Sequence, residues 1–307
     1  MKIAMLGSLG NINRIVIPKL VADGHQVTVV TTNKKRASQI SDIGAVPAVG
    51  SMGDINFLNQ VFNDKDLVYL MISGANGNIF ENAKIQSQKF KKVIQENNIK
   101  KVVDLSSIGS RDNRAGSLYA YHYIEEALES LNNVDVAFVR PMGFYNNLYA
   151  NIPAIKKNHA IYSPLAPETI RKWAAPEDIA IEVYRLISNL PKGKSYHFVV
   201  SDTINGKEMV KQFSKSLNIP DLKYIQISDD QYYQSIIKNG VPEDFAKSFL
   251  TTTQFEKHPE ELYKDLKDDN TYQGKVKFSN FAKKFAIAAK TNDPNAKSHT
   301  IADNNER

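Results

Sequence analysis

The chain has 307 residues, a formal net charge of +6, 42% hydrophobic residues and no cysteine. This length and composition predict a folded chain, large enough for one α/β unit with an appended lobe, and exclude a disordered chain, a disulfide scaffold and thiolate metal sites. No run of apolar residues reaches the roughly 18 residues that a membrane-spanning helix needs.

The first 140 residues alternate short β-branched runs with amphipathic helical patterns. This alternation predicts βαβ units and a doubly wound parallel sheet of the Rossmann type. The apolar run at the N-terminus ends in a glycine turn at Gly7 and is too short for a secretory signal, so we expect a cytoplasmic protein. The predicted strands are Lys2–Leu6, Gln26–Thr31, Val46–Val49, Leu67–Ile72, Lys101–Leu105 and Val134–Arg140.

The pattern changes after Pro141, where the chain loses its periodicity for about thirty residues. A helix is then predicted from Pro176 and a strand over Ser195–Val200, and Ser228 with Gln231 forms a capping box ahead of a later helix. The predicted division is residues 1–150, rejoined by 173–200, as the first domain; 151–172 and 201–290 as a smaller, mostly helical lobe; and 291–307 as a mobile tail.

The sequence Gly7-Ser8-Leu9-Gly10-Asn11-Ile12-Asn13 lies between the first predicted strand and the first predicted helix. Glycines at such a turn let the backbone approach a pyrophosphate, and the helix N-terminus offers free N–H groups to that anion. Asn13 occupies the position of a third glycine, which predicts a slightly wider gap between helix and strand. A tight turn without a ligand is the alternative. The predicted cofactor contacts in this turn are Gly7, Leu9, Gly10, Asn11 and Ile12.

The end of the second predicted strand indicates which dinucleotide binds. A ribose 2′-hydroxyl is usually read by an acidic residue here, but the chain has Thr31-Thr32-Asn33-Lys34-Lys35-Arg36, with three cations and no acid. Lysine and arginine can pair with a 2′-phosphate. We therefore predict NADP(H) in preference to NAD(H), bound by Thr32, Asn33, Lys34 and Lys35. A solvated helix start is the alternative for these cations.

Several further segments resemble the NmrA-like group of atypical short-chain dehydrogenases/reductases. They are the Gly-x-x-Gly-Asn-Ile turn, Leu105-Ser106-Ser107-Ile108-Gly109, the segment from Val139 to Leu148, and Trp173-Ala174-Ala175-Pro176-Glu177-Asp178-Ile179-Ala180. The resemblance covers about residues 1–288. It implies a Rossmann domain that binds NAD(P), a small C-terminal lobe and a cleft between them. The group includes quinone and azo reductases as well as redox sensors that bind the dinucleotide without turnover.

The predicted cofactor contacts are completed by Ser73, Ser106 and Pro141, which follow the fourth, fifth and sixth predicted strands. The catalytic Tyr-x-x-x-Lys and serine of alcohol-oxidising short-chain dehydrogenases have no counterpart at the matching places.

In the helix that follows, Tyr119 has Tyr123 four residues later, and Ile108 stands at the serine position. Tyr121 has Glu125 four residues later, and a nearby acid would raise the pKa of that tyrosine. A tyrosine-based mechanism is therefore not favoured.

His122 is the one predicted catalytic residue. His122-x-x-Glu125 resembles a His-x-x-x-Glu helix of the quinone-reductase branch, with Glu126 as an alternative acid, and a nearby acid would help the imidazole to hold a proton. A packing role for His122 is the alternative. Phe144 and Tyr145 are predicted to stack a flat acceptor, or else to pack between the lobes. The other histidines show no metal-binding spacing, so no metal site is predicted.

These observations favour an NAD(P)H-dependent oxidoreductase that transfers hydride from NADPH to a small quinone-like or carbonyl acceptor. A redox sensor that binds NADP(H) without turnover is the first alternative, and a nucleotide-sugar epimerase or dehydratase is the second. The expected partner is a small-molecule acceptor, with no membrane. The scattered lysines do not favour nucleic-acid binding, and the sequence does not indicate an oligomeric state.

Overall fold

The computed structural model describes residues 1–72, 78–291 and 293 of the chain. Within these ranges the strands are β1 (Lys2–Met5), β2 (Gln26–Thr31), β3 (Val46–Val49), β4 (Leu67–Met71), β5 (Lys101–Leu105), β6 (Asp135–Pro141), β7 (Gly143–Phe144), β8 (Ala160–Ser163), β9 (Arg171–Ala174), β10 (Lys194–Val200), β11 (Asp202–Ile204), β12 (Lys223–Gln226) and β13 (Thr271–Gln273).

The described α-helices are α1 (Asn13–Ala22), α2 (Lys35–Asp42), α3 (Ile55–Phe62), α4 (Ile79–Glu96), α5 (Ala120–Glu129), α6 (Ile152–Asn158), α7 (Pro176–Ser188), α8 (Gly206–Leu217), α9 (Asp229–Lys238), α10 (Glu243–Glu256), α11 (Pro259–Leu262) and α12 (Phe278–Thr291). Short 3₁₀ helices cover Gly116–Tyr119, Tyr145–Asn151 and Asp268–Asn270. None of the helices in these ranges is long and apolar enough to cross a membrane.

Eight strands form one parallel sheet in the order β13-β10-β6-β5-β4-β1-β2-β3. The chain moves outward from β1 to β3 and then returns to β4 on the other side of β1. This change of direction leaves a crevice beyond the carboxyl ends of β1 and β4, which is where open α/β sheets bind ligands. The predicted doubly wound Rossmann-type sheet is confirmed.

Apolar side chains cover both faces of the sheet, as nearly continuous β-branched runs predict. Helices α1, α2 and α7 pack on one face, with Val16, Ile40 and Val183 fully buried. Helices α3, α4 and α5 pack on the other, where Phe62 and Phe90 are fully buried.

The lobe has its own core of aromatic residues and is fastened to the sheet by hydrogen bonds. Phe213 of α8 and Phe285 of α12 stack at 4.2 Å between ring centroids. Buried Asp178, at the start of α7, accepts hydrogen bonds from the backbone N–H groups of Lys275 and Val276, each at 3.0 Å. The first turn of α7 therefore holds the segment that leads into α12.

The structure differs from the sequence interpretation in three places. Thr271–Gln273, predicted as part of the lobe, forms β13 at the edge of the main sheet. The stretch after Pro141, predicted to lack regular structure, contains β7, α6, β8 and β9. Helix α12 continues through Thr291, the first residue of the predicted tail; Asp293 is also described, and the rest of that tail lies outside the described residues.

Candidate functional site

The glycine turn lies at the carboxyl end of β1 and has a left-handed backbone at two successive residues. Gly7 has φ +92° and Ser8 has φ +51°, a conformation that costs little for glycine but is unfavourable for serine. Two contacts hold Ser8 in place: its hydroxyl donates to Thr31 Oγ1 at 2.9 Å, and its carbonyl accepts from Asn13 Nδ2 at 2.8 Å. The turn is therefore fixed before any ligand binds.

Asn13, at the third glycine position, ties the turn together through its side chain. It is only 3% exposed, and its Nδ2 also donates to the carbonyl of Leu6 at 2.7 Å. Since a glycine could make neither side-chain bond, Asn13 adds rigidity that the usual motif lacks.

The N-terminus of α1 points out of this turn without a side chain that neutralises it. Ile12 is at the N-cap position, no side chain caps the helix, and its first turn contains no acidic residue. By contrast, α3 and α4 are capped by Asp54 and Asn78. An uncapped N-terminus at the crevice is suited to an anion such as a pyrophosphate.

A second helix without acidic residues in its first turn follows β2. Asn33 Oδ1 accepts a hydrogen bond from the backbone N–H of Lys35 at 2.9 Å. The N-cap position of α2 is Lys34, which has no side-chain capping bond. Lys34, Lys35 and Arg36 are exposed, and none of them forms an ion pair within residues 1–72, 78–291 and 293. Exposed Thr32 precedes them, so the predicted 2′-phosphate group of residues lies together beside the glycine turn.

Ser106, a predicted cofactor contact after β5, is hydrogen-bonded to Glu125, which the sequence analysis paired with His122. Its hydroxyl donates to Glu125 Oε1 at 2.6 Å, and Ser110 donates to the same oxygen at 3.1 Å. Arg140 of β6 donates from Nε and Nη2 to the two oxygens of Glu125, at 2.8 and 2.6 Å. Nε of the partly exposed Arg111 lies 3.2 Å from Glu125 Oε2. Glu125 is thus a fully buried centre that joins α5 to β5 and β6.

This network corrects the prediction that Glu125 assists His122. The carboxylate of Glu125 is paired with the guanidinium of Arg140 on β6. A buried carboxylate requires such a paired charge. Glu126, the alternative acid, is exposed and forms no hydrogen bond with His122 in the described structure.

The cause predicted for a raised pKa at Tyr121 also needs correction. The pKa is raised to about 12, but desolvation is the main cause and the neighbouring charge is that of Asp104, not Glu125.

Asp104 of β5 is a buried acid without an apparent structural partner. It is 1% exposed, and its Oδ2 has no hydrogen-bond partner in the described structure. Burial, and then the charge of Glu125, raise the pKa of Asp104 well above its usual range, although Arg140 opposes this. No motif in the sequence indicated this group, because it lies within an otherwise largely apolar strand.

His122 lies in an aromatic cluster at the start of α5. Its ring stacks on that of Tyr119 at 4.7 Å with an angle of 11° between the planes, and the ring of Tyr123 is 5.8 Å from both. Nδ1 of His122 is buried and has no hydrogen-bond partner among the described residues. The imidazole is therefore positioned by ring stacking and retains a nitrogen that a ligand could engage.

Tyr119 in this cluster has a raised pKa. Burial, with smaller contributions from Tyr123 and Glu126, raises the pKa of Tyr119, whereas an acid/base tyrosine needs a lowered value. A cation is nevertheless close by, since Lys84 Nζ of α4 lies 5.0 Å from the centre of the Tyr123 ring. Ile108, at the serine position, is buried in the core.

The two predicted acceptor residues lie in different surroundings. Tyr145 is completely buried, donates its hydroxyl hydrogen to the carbonyl of Val276 at 3.1 Å, and stacks on Phe281 at 4.8 Å. This supports the packing role for Tyr145. Phe144, in β7, is partly exposed and packs against the core on the α1, α2 and α7 face of the sheet. Pro141 ends β6 and its carbonyl accepts from Ile108 N at 3.2 Å.

Ser73 lies outside the described residues, so its predicted role stays a prediction. His258, Glu260 and Glu261 bring possible metal-ligating atoms within 4.8 Å of one another on the surface, which the sequence interpretation did not foresee. Glu261 is already paired with Arg114, and the arrangement carries no metal assignment.

The fold and the glycine turn together define a Rossmann-type α/β protein. A family model described as the NmrA-like family matches residues 1–283, and the chain belongs to this family. A search of curated protein sequences returned no match.

Comparison with solved structures shows the same fold in three relatives of low identity. Triphenylmethane reductase from Citrobacter sp. has a TM-score of 0.76 at 15% identity, over 94% of this chain and 100% of the reductase. A nucleoside-diphosphate-sugar epimerase from Staphylococcus aureus has a TM-score of 0.74 at 14% identity, over 91% of this chain and 100% of the epimerase. An NADPH-dependent quinone oxidoreductase from Escherichia coli, in complex with NADPH, has a TM-score of 0.71 at 18% identity, over 85% of this chain and 93% of the oxidoreductase.

Proposed function

We propose that this protein is an NADPH-dependent oxidoreductase that reduces a small quinone-like or carbonyl acceptor without a Tyr-Lys pair. The observation that carries the proposal is the uncapped N-terminus of α1 behind the fixed turn of Gly7 and Ser8. This arrangement provides backbone N–H groups and no competing acid where a pyrophosphate would bind. The NADPH complex of the similar quinone oxidoreductase supports the same choice of ligand.

The preference for NADP(H) rests on charge at the start of α2. Lys34 and Lys35 are exposed, lack ion pairs within the described ranges and follow the strand end where the adenosine ribose is read in Rossmann folds. The ammonium groups of the two lysines are therefore available to a 2′-phosphate. Each such charge-assisted contact contributes on the order of 1.5–3 kcal/mol.

A quinone-like acceptor suits a site without an activated tyrosine. The bound cofactor would supply hydride, and the protein's part is to orient the acceptor and exclude unproductive geometries. Within the site we assign this part to the stacked His122 and Tyr119 and to Phe144. His122 would supply or relay the proton that completes reduction, because its Nδ1 has no competing partner in the described structure.

The main alternative is a sensor that binds NADP(H) without turnover. It is favoured by one observation: the acid predicted to assist His122 is instead paired with Arg140. An epimerase or dehydratase is the second alternative, supported by the similarity to the sugar epimerase.

The test is acceptor-dependent oxidation of NADPH by the purified protein. A panel of quinones and small carbonyl compounds is compared with a nucleotide sugar, with Gly10→Asp as a binding-deficient control. Oxidation by the wild type that is lost in the control supports the proposal. Tight NADPH binding by calorimetry with no oxidation by any acceptor identifies the sensor, and conversion of the nucleotide sugar identifies the epimerase.

A further inference from the structure

A pocket of about 190 Å³ lies between the sheet domain and the lobe, and we call it the seam pocket. It is bounded by the first turn of α1, the 3₁₀ helix Tyr145–Asn151, the start of α7 and one side of α12. A water molecule occupies roughly 30 Å³ in the liquid. The seam pocket therefore has room for about six water molecules or for one small ring compound.

The seam pocket presents buried hydrogen-bonding groups that the protein leaves unused. Asn146 lines it, is only 7% exposed, and its side-chain amide has no hydrogen-bond partner among the described residues. The hydroxyl of Tyr149 is likewise unbonded within those residues. Burial, and then the charge of Glu177, raise the pKa of Tyr149, so its hydroxyl keeps the proton and can donate. The Asn146 amide and the Tyr149 hydroxyl can therefore bond to a ligand in the pocket.

The seam pocket is lined by two cations, Arg14 and Lys284, and by two acids, Glu177 and Asp293. Arg14 lines the pocket and forms no ion pair within the described ranges, whereas Lys284 is paired with Glu177. The N-termini of α1 and α7 also meet here and add partial positive charge. Arg14 and these two helix N-termini are the groups in the lining that favour a negative group of a ligand, and Glu177 and Asp293 are the two acids that oppose it.

The remaining wall is apolar and consists of Ile15, Val276 and Phe281. We propose that the seam pocket binds a small organic carboxylate, with its carboxylate on Arg14 and the Asn146 amide and its apolar body against Ile15 and Phe281. A guanidinium is suited to this because it can hold both oxygens of a carboxylate. The inference does not rest on the proposed reductase activity, since it concerns binding alone.

Titration calorimetry with benzoate, compared with its neutral analogue benzamide, tests this site. We expect benzoate to bind the wild type, and benzamide to bind at least tenfold more weakly. Arg14→Gln and Asn146→Leu should each weaken benzoate binding at least tenfold, which is about 1.4 kcal/mol. Lys238→Gln, at an exposed cation of α9 that does not line the pocket, should leave it unchanged.

Thermal unfolding and NADP binding of each variant serve as checks that it is folded. The proposal is overturned if benzoate does not bind the wild type at millimolar concentration, or if benzamide binds equally well. It is also overturned if folded Arg14 and Asn146 variants bind benzoate like the wild type. Displacement of benzoate by NADP, together with unchanged affinity in those two variants, would place it at the glycine turn instead.

Discussion

The guanidinium of Arg140 on β6 and the carboxylate of Glu125 on α5 form a paired, two-point contact inside the protein. Nε donates to Oε1 at 2.8 Å and Nη2 to Oε2 at 2.6 Å, with Glu125 fully buried and Arg140 5% exposed. Because Ser106 donates to the same carboxylate, this pair sets the position of the loop that follows β5. The stability of the fold and the shape of the site thus depend on one buried charge.

Removing that charge should therefore be costly. Glu125→Gln leaves Arg140 as a buried cation without its counter-ion, and breaking a buried pair in this way typically costs about 3–5 kcal/mol. We expect a loss of about 3 kcal/mol in the free energy of unfolding, measured by urea denaturation. The exposed neighbour Glu126 provides the control, and Glu126→Gln should change stability by less than about 0.5 kcal/mol. Equal stability of the two variants would contradict a structural role for the pair.

Asp104 predicts a dependence of stability on pH. Its pKa is raised by burial and then by Glu125, whereas an unfolded aspartate ionises near pH 3.9. Between that pH and the higher folded pKa, the unfolded chain releases a proton that the folded chain retains. Rising pH therefore favours unfolding across this window. Each unit of difference between the folded and unfolded pKa lowers the free energy of unfolding by about 1.4 kcal/mol.

Asp104→Asn removes the ionisation and should stabilise the protein at pH 7 relative to the wild type, but not at pH 3.5. Urea unfolding of both proteins across this range measures the difference. A stability difference that stays constant with pH would show that Asp104 does not carry the proton in the folded state.

Local patterns were sufficient to predict the fold, but not the contacts within the site. The strands Gln26–Thr31, Val46–Val49 and Lys101–Leu105 have the predicted bounds, because continuous β-branched runs between turn residues leave few other structures. Glu125 was assigned to His122 because the two are neighbours on one helix. Its actual partner, Arg140, lies on another element, and such a pairing depends on how α5 packs on the sheet.

The same limit explains the outcome for two other residues. Asn13 was interpreted by its place in a motif, whereas its two hydrogen bonds depend on the backbone path of the glycine turn. Tyr145 was predicted either to stack an acceptor or to pack between the lobes, and the aromatic core of the lobe, built mainly from residues more than sixty positions later, encloses it.

The glycine turn should tolerate no side chain with a negative charge. A Cβ on Gly10 would lie 3.1 Å from the carbonyl oxygen of Gly7, so any substitution is tight, and an aspartate adds repulsion toward a pyrophosphate. Gly10→Asp should weaken NADPH binding at least tenfold, or about 1.4 kcal/mol. Gly10→Ala separates the steric part, and we expect it to bind more tightly than Gly10→Asp. Calorimetry showing wild-type affinity for Gly10→Asp would exclude this turn as the pyrophosphate site.

The lysines after β2 should determine the choice of dinucleotide. We expect NADPH to bind more tightly than NADH, and the double change of Lys34 and Lys35 to alanine should shrink that preference without weakening NADH binding. Lys91 and Lys92, a pair on α4 remote from the turn, provide the matched double-alanine control. Dissociation constants for both dinucleotides decide the matter. Equal constants in the wild type would leave the preference without support.

The last prediction concerns the aromatic cluster at the start of α5. If reduction does not use a tyrosine acid, Tyr119→Phe and Tyr121→Phe should each leave quinone reduction within a few-fold of the wild type, whereas loss of a true general acid typically costs about 10² to 10⁴ in rate. The raised pKa values of both tyrosines agree with this expectation. His122→Ala should cost about tenfold, because it removes both the stacked ring and the nitrogen that we assign to proton delivery. Steady-state kinetics with NADPH binding measured in parallel distinguish catalysis from cofactor affinity. If Tyr119→Phe abolishes turnover while NADPH still binds, the tyrosine is the acid after all, and Lys84 beside Tyr123 is then the cation whose removal should have the same effect.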